Sequence, residues 1–324
     1  MKKSFKLFLA AAVLVTEFFV VALPLMITSA KADGHPIQAI THAGFGGGTD
    51  VTTRMMLLRT RRYLKQDMQL VNKKGGGGAA SMDYMMTLPA DGQHTLTWTT
   101  GHAVSMALGK TKVKLSDMQP LARGTDDPQL FVVNCKNDIK DAKKFVSAQK
   151  SKSLKYGTTH VGGIDDVSAI AFTKKGKLTD PTIVAYKGVA PIKTNLIKGD
   201  IDVGVLNLGE AVTEIEDGTL CVSVVLASKR MDKLSNVPTA TELGIPVVLS
   251  TVRGFVTRKG VPADRKKQLE DAMIKAMEHK YFQSFLTDIG LDSSSVVGAD
   301  EWGKQMEVML AEMTAQLKAL GYIK

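Results

Sequence analysis

Apolar positions along the chain fall into two alternating spacings. Short apolar or β-branched runs at Ile37–Ile40, Met68–Asn72, His94–Trp98, Leu130–Val133, Thr182–Tyr186, Ile201–Leu206 and Leu220–Ala227 read as strands. Between them the spacing turns helical: Val51, Met55 and Leu58, then Ala79–Leu88, Ala142–Gln149, and Ile192–Ile197 with Pro191 near its start. Pro120–Asp127 reads as extended and polar, because Asp126-Asp127-Pro128 disfavours helix. Val237–Gly244 reads as a proline turn, a threonine cap and a short helix stopped by glycine. A long amphipathic helix opens at Val261-Pro262-Ala263, with Leu269, Ala272, Met273, Ala276 and Met277 on one face. A last helix carries Trp302, Met306, Met309, Leu310, Met313, Leu317 and Leu320 at similar spacing. These methionines read as core filling rather than as a metal face. Alternating strands and helices predict an α/β protein with parallel sheet, whose ligands bind beyond the carboxyl ends of the strands.

One stretch at such an end stands out: Thr41-His42-Ala43-Gly44-Phe45-Gly46-Gly47-Gly48-Thr49-Asp50. Strand, glycine loop and helix present free backbone N–H groups to an anion, and the helix start adds partial positive charge. A carboxylate is the expected guest. A nucleotide is not, because Gly48 is followed by Thr49 and Asp50 rather than Lys and Ser/Thr, and Thr49 stands where a dinucleotide fingerprint needs glycine. Thr99-Thr100-Gly101-His102 opens at the same edge, so Thr100 and His102 are candidates too. Lys73-Lys74-Gly75-Gly76-Gly77-Gly78 reads as a second glycine loop, either flexible or passing close to a neighbour.

The opening pattern has an echo. Thr159-His160-x-Gly162 mirrors Thr41-His42-x-Gly44, and Asp166-Val167-Ser168 mirrors Asp50-Val51-Thr52. Two domains each offering a helix N-terminus to one ligand would explain it. An enzyme built on His160 with Asp165 and Asp166 is the alternative, but no Ser-His-Asp spacing, HExxH or Gly-x-Ser-x-Gly accompanies them.

Composition narrows the setting. The 324 residues suffice for one large or two medium domains, and 44% hydrophobic content allows a packed core. Net charge is +10, and removing the +3 of residues 1–32 leaves about +7, which favours anionic ligands. Scattered lysines and 6% aromatics argue against nucleic acid. Lys2, Lys3 and Lys6, then an apolar stretch from Leu7 to Met26, then Ala30-Lys31-Ala32, read as a signal peptide cut after Ala32. An uncleaved anchor is the alternative, with Glu17 costly at mid-depth. Cys135 and Cys221 either pair in an oxidising compartment or stay as buried thiols, and no histidine cluster makes them a zinc site.

Ordered along the chain are Gly46-Gly47-Gly48-Thr49-Asp50, Val71-Asn72-x-x-Gly75, Pro89-Ala90-Asp91-Gly92-x-x-x-Leu96, Tyr156-Gly157-Thr158, Tyr186-Lys187-Gly188-Val189-Ala190-Pro191, Gly199-Asp200-Ile201-Asp202-Val203 and Pro238-Thr239-x-x-Glu242-Leu243-Gly244. This set resembles the substrate-binding proteins of tripartite tricarboxylate transporters, the Bug or TctC-like family. The resemblance implies a periplasmic two-domain α/β fold of Venus-flytrap type, with a mainly parallel sheet in each domain and a hinge between them. Domain 1 would hold residues 33–125 and 229–324, and domain 2 residues 126–228. It also implies a monomer without cofactor, metal or catalytic residues, passing an organic acid to the membrane subunits of a transporter. The acid is left open among di- and tricarboxylates, amino acids and aromatic acids, and a partner that reports occupancy to a sensor kinase would look the same. From the family's first loop the resemblance carries over Phe45, Gly47, Thr49 and Asp50, with Asp50 as a brace rather than a ligand contact, and Gly48 between them is a ligand-binding candidate too. From the second it carries over Thr158, Thr159 and Gly163; His160 in that loop is a further ligand-binding candidate, and Tyr186 and Asn207 are candidates for added polar contacts. Three departures stand out: Thr41-His42-Ala43 where a proline is usual, threonines and His160 where serines are usual, and Val252-Arg253-Gly254-Phe255 where a tryptophan is common.

Overall fold

The computed structural model describes residues 35–159, 161–319 and 321–324. The expected signal peptide with its cleavage site, His160 and Leu320 lie outside the described residues. The chain opens with β1 (Ile37–Thr41), α1 (Gly48–Leu64), β2 (Met68–Asn72), α2 (Ala79–Met86), β3 (His94–Thr99) and α3 (Thr100–Ala107). β1 runs parallel to both β2 and β3, so their carboxyl ends share one edge. The long β4 (Met118–Pro128) then leads out of this sheet, and after Gln129 the chain enters a second one. There the chain runs through β5 (Leu130–Asn134), α4 (Ala142–Ser151), β6 (Lys155–Thr158), α5 (Ile164–Lys175), β7 (Thr182–Ala185), α6 (Val189–Lys198), β8 (Val203–Leu206), α7 (Leu208–Glu216) and β9 (Leu220–Val225). The chain returns through β10 (Ser250–Arg258), α8 (Ala263–Glu278), α9 (Lys280–Asp288), β11 (Val297–Gly298) and α10 (Ala299–Ala319).

The strand orders are β11-β4-β10-β3-β1-β2 and β7-β6-β8-β5-β9. The α/β class and the two-sheet plan are as expected. The sheets, however, are mixed rather than mainly parallel. β10 is antiparallel to both β3 and β4, and β5 is antiparallel to β8 and β9. These are the strands by which the chain leaves one sheet and re-enters the other, so their directions are set by the crossing. The crossing segments are stitched together: Leu226 N donates to Gln129 O at 2.9 Å, Gln129 N to Leu249 O at 3.0 Å and Leu249 N to Leu226 O at 2.9 Å.

One apolar cluster runs through both sheets, from Trp98 and Trp302 to Phe131, Phe145, Tyr156 and Phe172. α10 enters it with Trp302, Met306, Met309, Met313 and Leu317, the face expected from its spacing. β10 escaped the sequence reading because Arg253 and Gly254 interrupt its apolar run. Gly254 is needed for space: a Cβ there would lie 2.3 Å from the Trp302 ring. Cys135 and Cys221 form a disulfide with a Cα–Cα distance of 5.0 Å, tying the chain just past β5 to β9. The choice between paired and free thiols is thereby settled.

Candidate functional site

The glycine loop follows β1 and ends in α1, as read from the sequence. Gly47 is the N-cap, and the first intrahelical bond runs from Val51 N to Gly47 O at 3.0 Å. The amides of Gly48, Thr49 and Asp50 therefore precede any helical acceptor. Gly46 turns the chain with φ +75°, a left-handed conformation that favours glycine. Its N–H donates to Asp50 Oδ2 at 3.1 Å, and the Arg54 guanidinium donates to both Asp50 oxygens at 2.8 and 3.1 Å. Asp50 thus braces the loop from the third helical position. Asn72 anchors it from β2 by donating its side-chain amide to Ala43 O. Phe45 projects from the tip, 77% exposed, with Lys74 Nζ 5.5 Å from its ring centroid.

The loop after β6 repeats this device. Gly163 is the N-cap of α5, and Gly162 turns with φ +68°. Gly162 N donates to Asp166 Oδ2 at 2.6 Å, again from the residue before the cap to the third helical position. Thr52 and Ser168, each two residues past its aspartate, donate their hydroxyls to Gly48 O and Ile164 O at 2.8 and 2.7 Å. Val161 takes the place of Phe45 at the tip, 72% exposed. The echo between Asp50-Val51-Thr52 and Asp166-Val167-Ser168 is therefore a shared loop construction. Its other half is out of register, because the counterpart of Gly162 is Gly46 and not Gly44. Asp165 accepts from Thr159 N at 2.9 Å and from Thr159 Oγ1 at 2.6 Å. Tyr186 borders this loop, its N–H donating to Thr158 O at 2.8 Å.

A third helix start, Asn207 before α7, meets the same seam between the sheets. Its side-chain amide donates to Asp127 O and Pro128 O at 2.9 and 3.0 Å, and its backbone N–H donates to Glu210 Oε2 at 3.0 Å. What joins the pieces is Arg253 on β10, 2% exposed. Nε donates to Thr49 Oγ1 at 3.3 Å, Nη1 to Asp127 Oδ2 at 2.9 Å and Nη2 to Asn207 Oδ1 at 3.2 Å. Gln129 Nε2 reaches Thr251 Oγ1 at 2.7 Å and Asp165 Oδ1 at 3.5 Å. The first turns of α1, α5 and α7 thus converge on one layer of polar side chains. Sequence reasoning passed over Arg253 as a binding residue. The available signal was an arginine inside an apolar strand-like run, since buried arginines are rare without partners.

Burial governs the carboxyls of this layer. It pushes Asp127 up to about 6, against the pull of Arg253. It pushes Glu210 up to about 7, with Arg253 and the Asn207 amide pulling down and Asp165 and Asp127 adding to the rise.

Other candidates stand apart from the loop tips. His102 is fully buried, and burial holds its pKa well below the ordinary histidine value, with His42 adding to the effect. Its Nδ1 accepts from Thr99 N at 3.0 Å, which leaves the ring proton on Nε2, 3.0 Å from Ser81 Oγ. It packs under the four-glycine loop, where a Cβ on Gly78 would lie 2.7 Å from the ring. That loop's close neighbours are His102 and Ser105, whose hydroxyl reaches Gly76 O and Gly77 O at 2.9 Å. Thr100 Oγ1 donates to Ser250 O at 3.0 Å and accepts from Val252 N at 2.9 Å, fixing the start of β10. Thr100 also lines a cavity of about 760 Å³ with Arg123, residues 226–233 and α10, which none of the described residues of 44–50 and 158–163 borders. Among the described residues no cluster of His, Cys, Asp or Glu is suited to a metal ion, and no helix is long and apolar enough to cross a membrane.

The family model described as tripartite tricarboxylate transporter family receptor matches residues 52–320. Protein BugT of Bordetella pertussis is 26% identical over 65% of this chain and 66% of its own length. MatC of Rhodopseudomonas palustris, solved with bound malate, superposes with a TM-score of 0.77 at 22% identity, covering 87% of this chain and 98% of its own. A second R. palustris protein, solved with adipate, gives a TM-score of 0.79 at 21% identity, covering 88% and 97%.

Proposed function

The chain belongs to the tripartite tricarboxylate transporter receptor family, whose model spans most of it, and from that premise we propose that it captures a small organic acid in the periplasm and passes it to the membrane subunits of such a transporter. The observation that carries the reading is the pair of loops built alike, one from each sheet, each turning into a helix start and braced by an aspartate at the third helical position. Backbone donors at Gly48 and Thr49 would receive one carboxylate without a charge of their own to desolvate. The loop of Thr158, Thr159 and Gly163, with Tyr186 beside it, would receive the other end. Phe45 and Val161 would cover the body of the ligand. A dicarboxylate suits two such loops, and the bound malate and adipate of the similar structures support that class. Closure of one sheet onto the other about the crossing segments is the expected movement. Signal-peptide export, a monomeric state and the absence of catalysis complete the proposal. Asp165 and Asp166 are engaged in holding their loop, which favours a binding site over an acid–base pair.

A thermal-shift screen of residues 33–324 against malate, adipate, citrate, glutamate and benzoate tests the reading. At about a hundred times its dissociation constant an acid adds about 2.7 kcal/mol, raising Tm by roughly 5–10 °C. Gly47→Val separates the loop from a general effect. Gly47 has φ −72°, and a Cβ there lies 3.4 Å from Gly44 O, so valine fits the backbone yet screens the amides. The variant should fold normally and lose the shift. An equal shift in both proteins would remove the loop from the site.

A further inference from the structure

Arg123 and Arg253 are the buried arginines of the described residues. Arg123 is fully engaged: it donates to Ser294 O and Ser295 O at 2.8 Å, to Gln305 Oε1 at 2.6 Å and to Asp126 Oδ2 at 3.3 Å. Arg253 is engaged unevenly. Its charged partner, Asp127, takes Nη1 at 2.9 Å. The opposite edge, Nε and Nη2, is the side-on fork that matches a carboxylate. That edge meets neutral acceptors at long range, Thr49 Oγ1 at 3.3 Å and Asn207 Oδ1 at 3.2 Å. It is also pressed against the start of α1: a Cβ on Gly48 would lie 2.6 Å from Nη2. A guanidinium and a helix N-terminus are both positive, and packing them together is unfavourable unless an anion is shared between them.

The geometry points to Arg253 as the specificity-determining charge of the site. On binding, a ligand carboxylate at the first turn of α1 takes over the Nε–Nη2 edge, displacing the neutral contacts to Thr49 and Asn207. The contact to Asn207, which links β10 to α7, is given up as the acid enters. The backbone amides supply position, and Arg253 makes the site select an ionised carboxylate over its neutral amide. This rests on the organic-acid reading above and adds to it a single residue that reads charge.

The test is titration calorimetry of the tightest acid from the panel and of its primary amide, on the wild type, Arg253→Met and Arg253→Lys. The wild type is expected to favour the acid by about 100-fold or more, given the cost of removing one partner from a buried charged contact. Arg253→Met should weaken the acid on the order of 100-fold and leave the amide within about threefold. Arg253→Lys, which keeps charge but not the fork, should fall between them. Should the methionine variant fail to fold with Asp127 left unpaired, the Arg253→Met/Asp127→Asn pair removes both charges and answers the same question. Equal weakening of acid and amide would reduce Arg253 to a structural tie and overturn the inference while leaving the binding function intact. Unchanged acid affinity would do the same. Failure of the wild type to bind any acid of the panel would instead overturn the underlying reading, and the inference with it.

Discussion

Glu210 shows how strongly single residues feel the seam. Its carboxyl is pushed up to about 7 by burial, so the folded protein holds its proton over a range where the unfolded chain, with an ordinary value near 4.5, has released it. The native state binds more protons across that window, so stability is greatest below it and falls as pH rises from about 4.5 to 7. Asp127, pushed up to about 6, adds to the fall in its lower part. Urea unfolding at several pH values should show this decline, and Glu210→Gln should make it shallower by on the order of 1 kcal/mol per pH unit. An identical slope in the variant would mean that Glu210 is not titrating in the buried layer. Gly254 offers a test by volume. Alanine there would drive a methyl group into the Trp302 ring, 2.3 Å away, and should cost about 1–3 kcal/mol. A Tm equal to that of the wild type would show that β10 and α10 pack differently.

The loops work as units, and their bracing can be removed without touching a donor amide. Asp50→Ala takes away the acceptor of Gly46 N–H and of Arg54. It should weaken acid binding about tenfold through lost preorganisation, with a Tm change of only a few degrees. The disulfide acts on the second sheet in the same modular way. It closes a loop over a sequence separation of 86, so replacing Cys135 and Cys221 by serine should cost roughly 2–4 kcal/mol, and a Tm unchanged by reductant would contradict that. Much at this scale was legible in advance. Met68–Asn72 matches its strand end to end, and the buried face of α10 follows the spacing of Trp302, Met306, Met309 and Met313. Local pattern suffices where an element buries one face. β10 was illegible because its centre is defined by partners far along the chain: Trp302 above Gly254, and Thr49, Asp127 and Asn207 around Arg253. The same limit hid the role of His102, whose polar neighbours in sequence suggested an open loop while the fold places it beneath glycines. Likewise, no local pattern distinguishes Gly46 from Gly44 as the residue that must turn left-handed.

At the scale of the whole molecule, the crossing segments at Gln129, Leu226 and Leu249 join the sheets, and Arg253 and Gln129 hold the helix starts together at the seam. A ligand that occupies both loops stabilises their approach, which is how capture would become a change of shape that a membrane partner can read. Small-angle scattering should therefore show a smaller radius of gyration with acid than without, and identical curves would argue against closure. The central claim is narrower: an acid binds at the paired loops. The direct measurement is a crystal structure of residues 33–324 with the tightest acid of the panel. The account predicts a carboxylate oxygen about 3 Å from the amide nitrogens of Gly48 or Thr49, with the rest of the ligand reaching the loop of Thr158–Gly163. An acid seated instead in the cavity lined by Thr100, Arg123 and α10, with the loops empty, would contradict it.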